Sequence, residues 1–156
     1  MSSSNIQKLI IVRGLPGSGK STYARKLVDL HRDYQHLEAD MYFVNNAGHY
    51  CFDPQHLPQA HDWCQQQARL ALLEGKTVVV SNTFVRLWEM KSYLDLAEQL
   101  KLRVEIVEAK GEFESIHDVP VSTIAKMAQR WQTVPNRWLQ RYSIEEYRPS
   151  QSSRLI

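Results

Sequence analysis

Cysteine is scarce in this 156-residue chain. Only Cys51 and Cys64 occur, they form no C-x-x-C pair, and two thiols are too few for a disulfide scaffold. Both read as free thiols of a reducing compartment, packing residues rather than nucleophiles. Long apolar runs are also missing, so no segment approaches a membrane span. The N-terminal "MSSSNIQK" lacks the apolar core of a signal peptide. These absences predict a soluble, cytoplasmic protein with no membrane partner. The six histidines show no metal-ligand spacing, His56 and His61 being five apart on a predicted helix. No Ser-His-Asp order stands out, and there is no internal repeat. Strong net charge is absent too: +2 at pH 7 does not by itself require a nucleic-acid partner.

The charge is unevenly placed, however. From Lys126 onward, six basic residues (Lys126, Arg130, Arg137, Arg141, Arg148 and Arg154) face only Glu145 and Glu146. The length fits one domain over residues 1–156, with a core at about 6–133 and a basic helical extension over 134–156.

Apolar periodicity gives an alternation of strands and helices. "KLIIVR" (8–13) reads as a buried strand running into a glycine loop, and "STYARKLVDLH" after it as a helix. "HLEAD" (36–40) reads as a short strand ending in a carboxylate, and 45–53 as a loop. Asp53-Pro54 reads as a helix start, followed by a stripe of Leu57, Ala60, Cys64, Ala68, Ala71 and Leu72 that stops at Gly75. "KTVVVS" is the clearest strand. "RLWEMKSYLDLAEQL" follows as a helix with Leu87, Met90, Leu94 and Ala97 inward, then "RVEIVEA" as a strand. Lys110–Pro120 is a polar loop, "VSTIAKMAQRW" a helix, and "PNRWLQRYSIEEY" one or two further helical turns before a frayed end. The pattern predicts an α/β fold with a parallel sheet and helices on both faces. Ligands then sit at the carboxyl ends of the strands. The glycine loop, Asp40 and Ser81-Asn82-Thr83 converge there.

"GLPGSGKST" carries the chemistry. Gly14, Leu15, Pro16, Gly17, Ser18 and Gly19 form a loop whose backbone N–H groups point at phosphate oxygens. The positive end of the next helix strengthens that field. Lys20 reaches the β- and γ-phosphates, and the Ser21 hydroxyl ligates Mg²⁺, with Thr22 beside it. The plainer alternative is a glycine turn joining strand to helix. Asp40 suits a group that accepts a proton from an attacking hydroxyl, or else caps a turn. Glu38 alternates with it and ranks lower, lying deeper in the strand. Phosphate-loop proteins commonly carry an acid at the end of a later apolar strand. Here that position is Ser81, followed by Asn82 and Thr83, which either face the γ-phosphate or simply turn the chain.

Several of these pieces together resemble a known family. "GLPGSGKSTYARKL", "EADMYF" and "FDPQHLPQAHDWCQQQARLALLEGKTVVVSNTFVRLWEM" are similar to AAA-type P-loop kinases related to phage polynucleotide kinase, nearest a small bacterial and phage subgroup. The likeness spans about Ile10 to Trp131, including "IHDVP" and "MAQRW". It implies a P-loop NTPase fold with an adenylate-kinase-like core, ATP with Mg²⁺, and transfer to a 5′-hydroxyl. It places the general-base aspartate at Asp40 and the phosphate-loop Lys and Ser at Lys20 and Ser21. A "DNTN" element falls on Ser81–Phe84, its acid and last Asn changed. The lid arginines of such kinases have no counterpart in 110–120; Lys110 or His117 are weak substitutes. Arg130 and Arg137 are the better candidates for a clamp on spread phosphoryl charge, against a plain solvated-face reading.

Three acceptor readings stay open. One is a polynucleotide kinase acting on single-stranded RNA or DNA 5′ ends, helped by Trp131, Trp138 and Tyr142 among the C-terminal arginines. Another is a small-molecule kinase whose pocket is walled by the loop Tyr42–Asp53 with His49, Tyr50 and Phe52. The last is an ATP-binding switch with little turnover.

Overall fold

A computed structural model describes residues 6–112 and 119–149. Strand β1 (Lys8–Arg13) leads into helix α1 (Lys20–Leu30), then β2 (Tyr34–Leu37), α2 (Leu57–Leu73) and β3 (Thr77–Asn82). Helix α3 (Lys91–Gln99), β4 (Arg103–Ala109), α4 (Val121–Arg130), α5 (Asn136–Arg141) and β5 (Ser143–Tyr147) complete the order. The five strands form one sheet in the order β2-β3-β1-β4-β5, every neighbouring pair parallel.

Both faces of the sheet are covered, which is why β1 and β3 read as unbroken apolar runs rather than alternating ones. Ile10, Val12 and Val79 pack with Ala24, Leu27 and Val28 of α1 on one face. Leu9, Ile11, Val78 and Val80 pack with Cys64 and Ala68 of α2 and Leu94 and Ala97 of α3 on the other. Each fully buried Val, Leu or Ile contributes about 1.5–3 kcal/mol, so β1 and β3 anchor the domain. Of the expected inner stripes, Ala60, Cys64, Ala68, Ala71 and Leu72 of α2 and Leu94 and Ala97 of α3 are buried, while Leu57 and Leu87 are half-buried; Leu87 and the buried Met90 sit on a 3₁₀ turn ahead of α3, and Tyr93 and Leu96 join the buried face.

Three expectations are corrected. The second strand stops at Leu37, and Ala39–Phe43 is a 3₁₀ turn, so Asp40 rides on that turn rather than on a strand end. The cause is a long-range bond: the Ala39 N–H donates to Asn82 Oδ1 at 2.8 Å, which curls the chain just past Glu38. Next, α2 starts at Leu57 after a 3₁₀ turn, Pro54–His56, capped by Asp53 Oδ1 accepting from the Gln55 N–H at 3.0 Å. Finally, the C-terminal segment is not wholly helical: α5 gives way to β5, which pairs with β4 from Glu105↔Ser143 to Ala109↔Tyr147.

The C-terminal aromatics are packing residues. Trp138 and Tyr142 contact edge to face, 5.6 Å between centroids, against the α2/α3 core. Trp131 lies under the Arg13 guanidinium at 3.8 Å. Arg141 pairs with Glu98 at 3.2 Å, and Arg148 with Glu146 at 3.2 Å. Because β5 runs parallel to β4 and starts just after Arg141, that arginine sits at the amino end of the sheet, opposite the glycine loop.

Arg13 ends β1 with a fully buried side chain. Its Nε and Nη2 donate to the Phe84 carbonyl at 3.0 and 2.8 Å. Nη2 also reaches the carbonyls of Val85 at 3.2 Å and Gln132 at 2.9 Å, and Nη1 meets Glu108 at 2.9 Å. One guanidinium thus ties the exit of β1 to the exit of β3 and to the segment after α4. Burial lowers its pKa, and the Glu108 carboxylate works against that loss.

Candidate nucleotide and acceptor site

Close packing and backbone geometry both require glycine in the loop. A Cβ on Gly14 would collide with Ser18 Oγ and sit 3.0 Å from the Ala109 carbonyl. Gly17 and Gly19 hold φ of 81° and 97°, left-handed values that favour glycine. The loop is tied down on both sides. The Gly14 N–H donates to the Thr83 carbonyl at 3.2 Å, and the Gly111 N–H to the Ser18 carbonyl at 2.9 Å. Ser18 is buried and its hydroxyl has no hydrogen-bond partner among the described residues.

The loop opens on a cleft of about 640 Å³ at the carboxyl ends of the strands. Pro16, Gly17, Gly19, Lys20, Ser21 and Thr22 line it; Gly14, Leu15 and Ser18 stand behind. Asp40, Asn82 and Thr83 line it as well. The cleft therefore gathers the loop and both polar strand exits, as the alternation of elements predicts. Arg130 and Arg137 are not among its lining residues. Arg130 is exposed on α4, two turns beyond Thr123 and one beyond Met127, which do face the cleft. Arg137 is exposed on α5, whose Trp138 packs on the α2/α3 core. His117 lies outside the described residues. Lys110 sits 3.6 Å from Glu108 and 5.2 Å from the Trp131 ring.

Electrostatics centre on Lys20. Burial lowers its pKa, and the negative charges of Glu38 and Asp40 partly offset that. Its Nζ reaches the Leu15 carbonyl at 3.4 Å. A cation held this way gains most when a phosphate enters.

Glu38 lines the cleft as well as Asp40. The Ser21 hydroxyl donates to Glu38 Oε1 at 2.8 Å, and the Ser81 hydroxyl to the same oxygen at 3.3 Å. His36 Nε2 lies 3.1 Å from that oxygen and 2.6 Å from Ser81 Oγ. Burial pushes the Glu38 carboxyl up; the bonds from His36 and Ser21, with the charges of His36 and Lys20, outweigh it and leave the group below the usual carboxylate range. The alternation of His36 and Glu38 was the available signal, and the early end of β2 is what swings Glu38 into the cleft.

Asn82 is already engaged. Its Oδ1 accepts from the Ala39 N–H and its Nδ2 is 3.9 Å from Cys64 Sγ. Asn82 thus shapes the turn that presents Asp40. The Tyr50 hydroxyl donates to Asp40 Oδ1 at 3.2 Å, and the Tyr50 pKa is pushed up to about 12 by burial and by the Asp40 charge. At neutral pH Tyr50 therefore keeps its proton and remains a donor to Asp40.

The opposite wall is aromatic and aliphatic. A short hairpin with a Val44↔Tyr50 bridge carries Tyr50 and Phe52 into the lining, their rings stacked at 6.3 Å and 13°. Phe43 buttresses both rings edge to face. Leu57, Met127 and Val119 extend the apolar wall. His49 of the same hairpin does not line it. Besides Lys20, the lining among the described residues holds one arginine, Arg25 of α1.

A five-stranded parallel sheet flanked by helices, with a phosphate loop after its first strand, defines a P-loop NTPase α/β fold of the kinase-like kind. Residues 9–118 match the family model described as AAA domain, and the chain belongs to that family. It is 34% identical over 134 residues to human NEDD4-binding protein 2, covering 80% of this chain and 8% of that protein. The chain thus spans less than a tenth of that curated relative's length. Among solved structures, a putative kinase from Chloroflexus aurantiacus superposes with a TM-score of 0.65 at 17% identity, covering 94% of this chain and 90% of that one. A chain of the Pnkp1/Rnl/Hen1 RNA repair complex superposes with a TM-score of 0.51 at 18% identity, covering 89% and 45%. At these identities the two structures show the shared fold.

Proposed function

We propose that this chain is an ATP- and Mg²⁺-dependent kinase that transfers the γ-phosphoryl group to a hydroxyl, foremost the 5′-hydroxyl of a polynucleotide. The observation that carries this reading is the placement of Asp40. It stands in the same cleft as Lys20 and Ser21, between the phosphate loop and an apolar aromatic wall. In that arrangement the loop N–H groups and Lys20 bind the phosphates, and Ser21 holds the Mg²⁺ carried by the nucleotide. The donor set is hard oxygen, which fits Mg²⁺. Held there, the ion would supply positive charge to offset the negative charge of the phosphates during transfer. Asp40 takes the proton from the acceptor hydroxyl as its oxygen bonds to the γ-phosphorus and the bond to the ADP oxygen breaks. Thr83 closes the floor of the phosphate site. For the clamp on phosphoryl charge, Arg130 and Arg137 stand outside the lining, whereas Arg25 is part of it.

Tyr50 and Phe52 form a stacking surface suited to the base next to a 5′-hydroxyl, and the structural likeness to a chain of an RNA repair complex supports that choice. One observation favours a small-molecule acceptor instead: the described lining offers only Lys20 and Arg25 as permanent cations, a short track for a nucleic-acid backbone. Phe52→Ala tests the stacking surface, and acceptor preference separates the two readings. Loss of a stacked base costs about 1–3 kcal/mol, so KM for a 5′-hydroxyl oligonucleotide should rise roughly 5- to 150-fold with KM for ATP unchanged. Preferred phosphorylation of free nucleosides or sugars over oligonucleotides would sink the polynucleotide reading.

A further inference from the structure

The acid that phosphate-loop enzymes commonly place at the end of a later strand, facing the metal, is missing from β3, where Ser81 stands. The cleft is nevertheless not without such a group. We infer that Glu38, at the end of the neighbouring strand β2, is this chain's metal-facing carboxylate, and that Ser81 and His36 hold it in place. The inference rests on the nucleotide-binding part of the proposed function.

Glu38 Oε1 accepts from the Ser21 hydroxyl at 2.8 Å and from the Ser81 hydroxyl at 3.3 Å. A serine hydroxyl has one proton and two lone pairs. With its proton given to Glu38, Ser21 keeps its lone pairs for a hard cation. The carboxylate is 15% exposed on its side chain and lines the same cleft as the loop. Its position beside Ser81 means that the exit of β3 and the exit of β2 address one point in space, so a carboxylate delivered from either strand serves the same metal. An acid at both positions would place two negative charges in contact and weaken both. A serine at 81 therefore goes with a glutamate at 38. Asp40, two residues further on, is carried by the 3₁₀ turn and accepts from the Tyr50 hydroxyl rather than from Ser21 and Ser81.

The test is equilibrium binding of a fluorescent ATP analogue, with and without Mg²⁺, to the full chain. Wild type should bind more tightly with Mg²⁺ than with EDTA. Glu38→Gln and Glu38→Ser should bind the nucleotide with Mg²⁺ about tenfold more weakly than wild type, the scale of a lost partner near a metal, while metal-free affinity stays or rises because a negative charge leaves the phosphate site. The exchange variant Glu38→Ser/Ser81→Asp should recover most of that loss. Thermal melting checks that each variant is folded. Full Mg²⁺ enhancement in folded Glu38→Gln would overturn the assignment. An exchange variant no better than Glu38→Ser would overturn the claim that the two positions share one carboxylate site. Because binding is read without transfer, an intact Mg²⁺ effect in a protein that phosphorylates nothing would count against the kinase reading and not against Glu38.

Discussion

Asp40→Asn is expected to lower kcat for phosphoryl transfer by about 10²–10⁴, the contribution of a positioned general base, while ATP affinity stays within a few-fold. The side chain lines the cleft beyond the phosphate loop, and its Oδ1 accepts from the Tyr50 hydroxyl at 3.2 Å. Asparagine keeps an oxygen for that bond, so the turn Ala39–Phe43 and its support from Asn82 survive. What is lost is the charge and the ability to take a proton. Steady-state transfer, read beside an equilibrium ATP titration, checks both halves. Wild-type kcat in this variant would remove Asp40 from the chemistry. A parallel collapse of ATP affinity would instead make it a structural residue of the nucleotide site, since its charge reaches Lys20.

The second large effect lies beneath the site. Arg13→Ala is expected to cost about 3–5 kcal/mol of stability, as when one partner of a buried ion pair is removed. That corresponds to a fall in Tm of roughly 6–20 °C for a chain of this size. The loss strands the carbonyls of Phe84, Val85 and Gln132 and the carboxylate of Glu108. Lys110, 3.6 Å from Glu108, softens the last of these. Arg13→Lys should recover only part, because an ammonium cannot reproduce the planar fork that spans these acceptors. Differential scanning calorimetry of the three proteins measures the ranking. A fall of less than about 2 °C for Arg13→Ala would mean that the pairing offsets no more than its own desolvation.

The sheet and the glycine loop were legible because they follow from local rules: apolar runs of β-branched residues, turn glycines, and a helix after the loop. What sequence reasoning placed wrongly depends on partners far along the chain. Asp40 looked like a strand end because nothing near it announces the 3₁₀ turn, which is fixed by Asn82, 43 residues away. Glu38 looked deep in a strand for the same reason, although it stands beside Ser21. β5 escaped because "SIEEY" carries two acids on an edge strand, where charge is tolerated on the outer side, and because its pairing to β4 is parallel and distant. The C-terminal Trp and Arg residues suggested a nucleic-acid track by composition. In the fold Trp131 covers Arg13, Trp138 fills the α2/α3 face, and Arg141 points to the amino end of the sheet. The aromatic wall that does reach the cleft comes from the hairpin with Tyr50 and Phe52.

Transfer of labelled γ-phosphate from ATP with Mg²⁺ tests the central claim most directly. A 5′-hydroxyl oligonucleotide would be offered beside nucleosides and sugars, with Lys20→Ala as control. Label is expected on a hydroxyl acceptor, foremost the oligonucleotide 5′ end, and Lys20→Ala should abolish it. ATP bound by the wild type with no label on any acceptor would contradict that claim, and would leave the cleft as a nucleotide switch rather than a kinase site.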